Sequence, residues 1–172
     1  MRIARRPAAD SDRDFLFSLY ASTRAAELAM VPWNDQQKRA FLEHQFEAQS
    51  RGYRESYPDA SHQILLVDHA PVGRLYLSRQ PERLHILDIT VAPDARNSGI
   101  GSHVLRELLQ EARDAAKPVT IYLESFNPSL RLFERLGFAV ASEDGFLLLM
   151  RGPVSGSAPE SAGPSAAAKA DG

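Results

Sequence analysis

Arg96-Asn97-Ser98-Gly99-Ile100-Gly101 is the stretch whose reading decides the fold. It follows His85-Ile86-Leu87-Asp88-Ile89-Thr90-Val91, a run rich in β-branched residues that Pro93 closes. After it, Ile100, Val104, Leu105, Leu108, Leu109 and Ala112 recur at helical spacing. A strand, a glycine turn and a helix start make an anion site. The first N–H groups of a helix have no partner within it, and the helix dipole favours negative charge at that end. Gly99 and Gly101 let the backbone approach a phosphate because no Cβ stands in the way. Arg96 adds a charge-assisted donor. The stretch therefore points to a phosphorylated cofactor.

Spacing narrows the choice. A dinucleotide fingerprint needs a third glycine where this chain has Val104, and a P-loop needs a lysine after the second glycine, where Ser102 stands. What remains is R-x-x-G-x-G after a strand. A second segment, Asn127-Pro128-Ser129-Leu130-Arg131-Leu132-Phe133-Glu134-Arg135-Leu136-Gly137-Phe138, reads as a short helix. Asn127 suits the N-cap, Pro128 the first helical position and Gly137 the C′ position, with Leu130, Phe133 and Leu136 on one face.

Together, in this order and at this distance, the two segments resemble the two cofactor motifs of the GNAT superfamily of acyl-CoA-dependent N-acetyltransferases. The resemblance implies an α+β fold. Its sheet is mixed, mostly antiparallel and twisted, with six to seven strands, about four flanking helices, and fourth and fifth strands splayed apart. It also implies acetyl-CoA as cosubstrate, with pantetheine pairing on the backbone of Ile89 and Val91. Arg96, Asn97, Ser98, Gly99, Ile100, Gly101 and Ser102 would then hold the pyrophosphate, and Asn127 and Phe133 would lie beside the pantetheine arm.

The rest of the chain fits this order. A length of 172 residues allows one domain with a sizeable core. A net charge of −2 argues against a general nucleic-acid or membrane-surface role, and no apolar run approaches the length of a bilayer span. With no cysteine, disulfides, thiolate metal sites and a cysteine acyl-enzyme are excluded. The five histidines show no zinc-like spacing, so no metal is expected. A cytoplasmic location is expected, since no apolar leader is evident. Residues 1–151 read as the transferase domain and 152–172, poor in large apolar residues, as a disordered tail.

Along the chain, residues 2–6 read as a strand. Asp10 or Ser11 caps a helix to about Met30, with Phe15, Leu16, Leu19 and Tyr20 inward. Asn34 or Asp35 caps a second helix to about Gln49, with Phe41, Leu42 and Phe46 inward. Residues 50–61 read as a polar connection. His62–Val67 and Val72–Ser78 form a hairpin across Asp68–Pro71, and Arg83–Val91, Val119–Glu124, Phe138–Ala141 and Gly145–Met150 complete the strands. Arg24 and Glu27 read as a local ion pair, and Trp33, Tyr53 and Tyr57 as pocket or core-covering aromatics.

The reaction implied is direct attack of a primary amine on acetyl-CoA in a ternary complex, the amine carried by a small molecule or a peptide. A lysine-like amine is neutral in only about one molecule in 10³ at pH 7, so a base must take a proton. Two acids are candidates: Glu124 at the end of the fifth strand and Asp88 in the middle of the fourth. An acid within an apolar strand is costly unless partnered, and the ordinary alternative for Asp88 is an ion pair with an arginine. His85 is a lesser candidate. In the family, a tyrosine of the second motif protonates the leaving thiolate. Phe133 stands there and has no proton, while Tyr122 shares a strand face with Glu124. The competing reading is therefore a catalytically weak acyl-CoA sensor or interaction domain. A homodimer is compatible with either reading.

Overall fold

Two residues turn the second strand into the third. In the computed structural model, which describes residues 2–154, β2 (Ser61–Val67) and β3 (Ala70–Arg79) are antiparallel. Asp68 and His69 join them at φ 51° and 69°. Positive φ at both central residues matches the right-handed twist of the flanking strands. The turn is tighter than the four-residue loop expected. Pro71 lies within β3 opposite Leu66, at a bulge that begins between Leu65 and Leu66, one of the few places where a strand accepts a proline.

The described residues divide into two compact units, and the boundary runs through β4 (Leu84–Val91): Ile86–Gly101 belong with the residues up to Arg79, and Gln80–His85 with the residues from Ser102 on. The first unit holds β1 (Ile3–Pro7), antiparallel to β2, and the helices α1 (Arg13–Ala29) and α2 (Asp35–Ser56). Its core joins Leu16, Phe17, Leu19, Tyr20, Phe46 and Ile64. Phe46 meets Phe17 edge-on at 5.6 Å and Tyr20 at 5.7 Å. Each such side chain taken out of water contributes about 1.5–3 kcal/mol.

Several local expectations for this unit need correction. Neither Asp10 nor Ser11 caps α1. A 3-10 turn, Asp10–Asp12, precedes it, and the Asp12 carboxylate turns back to accept from Ala9 N–H at 2.8 Å and from both terminal nitrogens of Arg6 at 2.8 Å. These bonds, Arg6 first, hold the Asp12 carboxyl down at about 2. Asn34 caps α2 through a reciprocal pair with Gln37. Phe41 is not inward: it is exposed, with its ring edge-on to Trp33 at 5.4 Å.

The helix α2 also runs well past Gln49, through Gly52 to Ser56. Tyr53 explains the extension. Its ring packs against Tyr76 at 5.0 Å and its hydroxyl donates to Leu87 O at 3.0 Å. Tertiary packing here outweighs the cost of a glycine inside a helix.

The second unit holds the body of α3 (Ile100–Asp114), then β5 (Val119–Glu124), α4 (Leu130–Arg135), β6 (Ala139–Asp144) and β7 (Leu147–Arg151). All six residues named for the apolar face of α3 are buried, from Val104 at 0 % to Leu109 at 5 %. The β6–β7 hairpin turns on Gly145-Phe146 with φ 64° at Gly145, the residue that accepts this conformation without strain. The strand order of the sheet is β1-β2-β3-β4-β5-β7-β6. Residues 155–172, read above as a disordered tail, lie outside the described residues.

Two glycines predict opposite responses. A Cβ on Gly73 would come within 2.4 Å of Thr90 O and 3.2 Å of Val91 Cα, both backbone, whereas a Cβ on Gly52 meets nothing within 4 Å. Thermal denaturation should therefore show Gly73→Ala clearly destabilised, and Gly52→Ala more stable by about 0.5–1 kcal/mol.

Candidate active site

The Arg96–Gly101 turn owes its shape to two left-handed residues. After a 3-10 turn, Pro93–Ala95, Asn97 has φ 61° and Gly99 φ 87°. Asparagine and glycine are the residues that enter this region most readily. The position a Cβ of Gly99 would take has no protein atom within 4 Å, so the backbone there is open to a ligand, as a phosphate cradle requires. Arg96 braces the turn: Nε donates to Val91 O at 3.0 Å and an Nη to Ser22 Oγ of α1 at 3.1 Å. Ser98 Oγ donates to Ala95 O. Asn97, Ser98 and Gly99 are exposed, and Ile100 anchors the helix start at 3 % exposure.

Asp88 has the arginine partner that its place in an apolar strand called for. Arg74, 4 % exposed, donates from Nε to Asp88 Oδ2 at 2.6 Å. Its other nitrogens reach Gln49 Oε1 at 2.9 Å and His62 Nε2 at 3.4 Å, and its guanidinium lies over the Tyr76 ring at 5.7 Å. Thr90 Oγ1 donates to Asp88 as well, at 2.9 Å to Oδ2. His62 stacks on Tyr76 at 4.2 Å. Burial, then the neighbouring Arg74 charge, lowers the His62 pKa to about 4, so it is neutral and accepts from Arg74. Burial raises the Tyr53 hydroxyl far above the usual phenol range. Ile89 and Val91 lie on the opposite face of β4 from Asp88 and Thr90.

In the second unit, Glu124 ends β5. Its Oε1 accepts from Asn127 Nδ2 at 3.4 Å, while Asn127 Oδ1 accepts from Ser129 N–H at 2.8 Å. Asn127 thus opens a turn rather than capping α4, whose N-cap is Ser129. The other end is as expected. Gly137 has φ 93°, Phe138 N–H donates to Phe133 O and Gly137 N–H to Glu134 O, both at 3.0 Å, and the Phe133 and Phe138 rings meet edge-on at 5.1 Å. This is the full Schellman closure with its apolar contact. It buries Phe133 to 2 % exposure.

His85 is 2 % exposed, its Nδ1 is 2.7 Å from Thr120 Oγ1, and its ring is edge-on to Tyr122 at 5.5 Å. Burial, with Arg83 nearby, lowers its pKa to about 4. Tyr122 is half exposed on the face of Glu124. Arg24 and Glu27 form the expected ion pair, at 3.2 Å. An open depression of about 470 Å³ lined by Arg2, Ala4, Leu66, Asp68 and His69 contains none of these candidates. Among the described residues, no helix is long and apolar enough to cross a membrane, and no group of three His, Asp or Glu could hold a metal ion. Phe126 and Phe146, both largely exposed, went unnamed in the sequence reading because an aromatic residue beside a strand reads as core.

The fourth strand of a mixed α+β sheet runs through an open, left-handed glycine turn into an amphipathic helix. The chain belongs to the acetyltransferase (GNAT) family, whose model matches residues 18–138. It is similar in structure to the PaiA N-acetyltransferase of Thermoplasma acidophilum, solved in complex with coenzyme A, at TM-score 0.67 and 16 % identity, covering 88 % of this chain and 99 % of that one. The ribosomal-protein-S18-alanine N-acetyltransferase of Escherichia coli matches at TM-score 0.58 and 17 % identity over 92 % and 98 % of the two chains. A GNAT acetyltransferase of Elizabethkingia anophelis with acetyl-CoA bound matches at 0.55 and 15 % over 87 % and 97 %. At these identities the likenesses speak for the fold. No curated protein matches the chain.

The two histidines set an acid limit. Each has a folded-state pKa near 4, below the unfolded value near 6.5. Their contribution to stability is full above about pH 6.5 and is lost as pH falls toward about 4. Denaturation midpoints measured from pH 7 to 4 should fall for the wild type and fall less for His62→Gln or His85→Gln.

Proposed function

We propose that the protein is an N-acetyltransferase that moves the acetyl group of acetyl-CoA to a primary amine by direct attack in a ternary complex. The observation that carries the reading is the Asn97–Gly99 turn, an open backbone at the start of α3 in a chain of this family. In the proposal, the N–H groups from Asn97 to Ser102 and the Arg96 guanidinium hold the pyrophosphate. The family resemblance adds the backbone of Ile89 and Val91, together with Asn127 and the wall at Phe133, as contacts for the pantetheine arm. Acetyl-CoA supplies an acyl thioester: the new N–C bond forms as the C–S bond breaks, and the amine's proton must leave.

Glu124 is the group we assign to receive that proton, and Asp88 is the second candidate. The difference lies in what each carboxylate already holds. Asp88 is engaged by a buried guanidinium and a hydroxyl, while Glu124 accepts one long bond from a neutral amide. A carboxylate whose oxygens already face a guanidinium and a hydroxyl has fewer free lone pairs to offer a new proton donor. Tyr122, half exposed on the face of Glu124, is the donor we assign to the leaving thiolate in place of Phe133. The acyl-CoA sensor remains the second reading, favoured by the absence of any proton on Phe133. The setting proposed for the activity is cytoplasmic, and the acceptor is a small molecule or peptide.

Two measurements test these roles. Gly99→Val adds a side chain where the backbone is open and should weaken acetyl-CoA binding at least tenfold in calorimetry while the protein stays folded; unchanged affinity would remove the phosphate assignment. Glu124→Gln should lower kcat by about 10²–10⁴-fold, with Asp88→Asn costing less. The reverse order would move the base to Asp88. Binding of acetyl-CoA with no turnover on any amine would leave the sensor reading standing.

A further inference from the structure

The Arg96 guanidinium is tied at two points within the first unit. Its Nε donates to Val91 O at 3.0 Å, and its Nη2 donates at 3.1 Å to Ser22 Oγ, on α1 and 74 residues away in sequence. The first bond closes the Val91–Arg96 segment on itself. The second ties that segment to a helix the core holds in place, since Leu16, Leu19 and Tyr20 of α1 pack with Phe46 and Ile64. Ser22 is half-buried, and its own proton goes to Leu19 O at 2.7 Å. A hydroxyl has one proton, so the Ser22 oxygen meets Arg96 as an acceptor. Two of the five N–H donors of the guanidinium are thus taken, by Val91 O and Ser22 Oγ. The others are then fixed with them, because the group is a rigid plane.

A serine inside a helix does little for the helix itself. Its bond to the preceding turn competes with the ladder, and alanine is the better helix former. Ser18, one turn earlier, makes the same bond to Phe15 O at 2.7 Å and is exposed. What distinguishes Ser22 is its bond from Arg96. An exposed arginine held by nothing keeps its side-chain freedom and loses it only on binding an anion, which weakens the binding. We infer, on the reading of Arg96–Gly101 as the phosphate cradle, that Ser22 is a positioning residue for the cofactor. It holds the Arg96 guanidinium in place before the cofactor arrives, with the remaining N–H groups free for a phosphate of coenzyme A. In this way α1, which supplies none of the cradle's own residues, takes part in cofactor binding.

Calorimetry with free coenzyme A on the full chain tests this and needs no turnover. Ser22→Ala should weaken binding about three- to tenfold. Ser22→Thr should restore it, since a threonine hydroxyl can bond the same carbonyl in a helix, as Thr23 does with Tyr20 O at 2.7 Å. Ser18→Ala should leave the affinity unchanged. Thermal melts should show Ser22→Ala folded with a midpoint close to that of the wild type, so that weaker binding is not a loss of fold. A double variant separates action through Arg96 from a general effect on α1. Arg96→Ala alone should weaken binding, and adding Ser22→Ala to it should change the affinity by less than about twofold. Full additivity of the two losses, or wild-type affinity in Ser22→Ala, would overturn the inference and leave the cradle standing. A wild type that does not bind coenzyme A would overturn the cradle itself, and the role of Ser22 with it.

Discussion

A guanidinium almost wholly removed from water can stay in the first unit only because its donors are taken. Arg74 reaches Asp88 on β4, His62 on β2 and Gln49 on α2 from its own place on β3. An apolar pair of the same volume would cost less to bury, so the ion pair is better understood as a constraint on register than as a source of stability. Slipping β3 by one residue would turn Arg74 to the other face and part its guanidinium from the half-buried Asp88. The neighbouring Gly73 enforces the same register by sterics, since a Cβ there would enter Thr90 O. His62 completes the arrangement by staying neutral: only an unprotonated ring nitrogen can accept from Arg74, and burial keeps it in that form.

Features set by rules acting over a few residues were legible in the sequence. The buried face of α3 follows from helical spacing alone. The closure of α4 follows from one glycine that can adopt φ 93° with a phenylalanine on each side of it. Asn34, one of the two caps read for α2, holds that place through Gln37, three residues later. Failures arose where a distant residue decided the outcome. The start of α1 is set by a 3-10 turn whose Asp12 carboxylate is tied to Arg6, so neither Asp10 nor Ser11 caps the helix. Tyr76 and the Leu87 carbonyl hold Tyr53 in a helix that its own sequence, with Gly52 inside it, does not favour. Phe41 is exposed although its helical position and residue type both suggested core.

The site divides the same way. The shape of the Arg96–Gly101 turn is a local backbone property, so an open turn at the start of α3 was readable from the positions of two glycines. That Asp88 would need a cation was readable from the cost of an acid in an apolar strand, but that Arg74 supplies it depends on pairing fourteen residues apart in sequence. The exposure of Phe126 and Phe146 was not readable at all. Composition gives no sign that Phe126 and Phe146 face solvent, because the rule that apolar residues go inside is right for most of their neighbours.

This contrast bears on how the two acids differ. An acid embedded in a network that already satisfies it is structurally secure but chemically committed: to accept a proton, Asp88 would have to weaken its bond with a cation that has no solvent to turn to. Glu124 has the opposite setting. It ends its strand, accepts from the amide of Asn127 and shares its face with the half-exposed Tyr122. Of the two acids, Glu124 is thus the one whose recorded partner is a neutral amide, so its charge stays available to a cation from outside the protein, the condition under which we propose it, and not Asp88, as the proton acceptor.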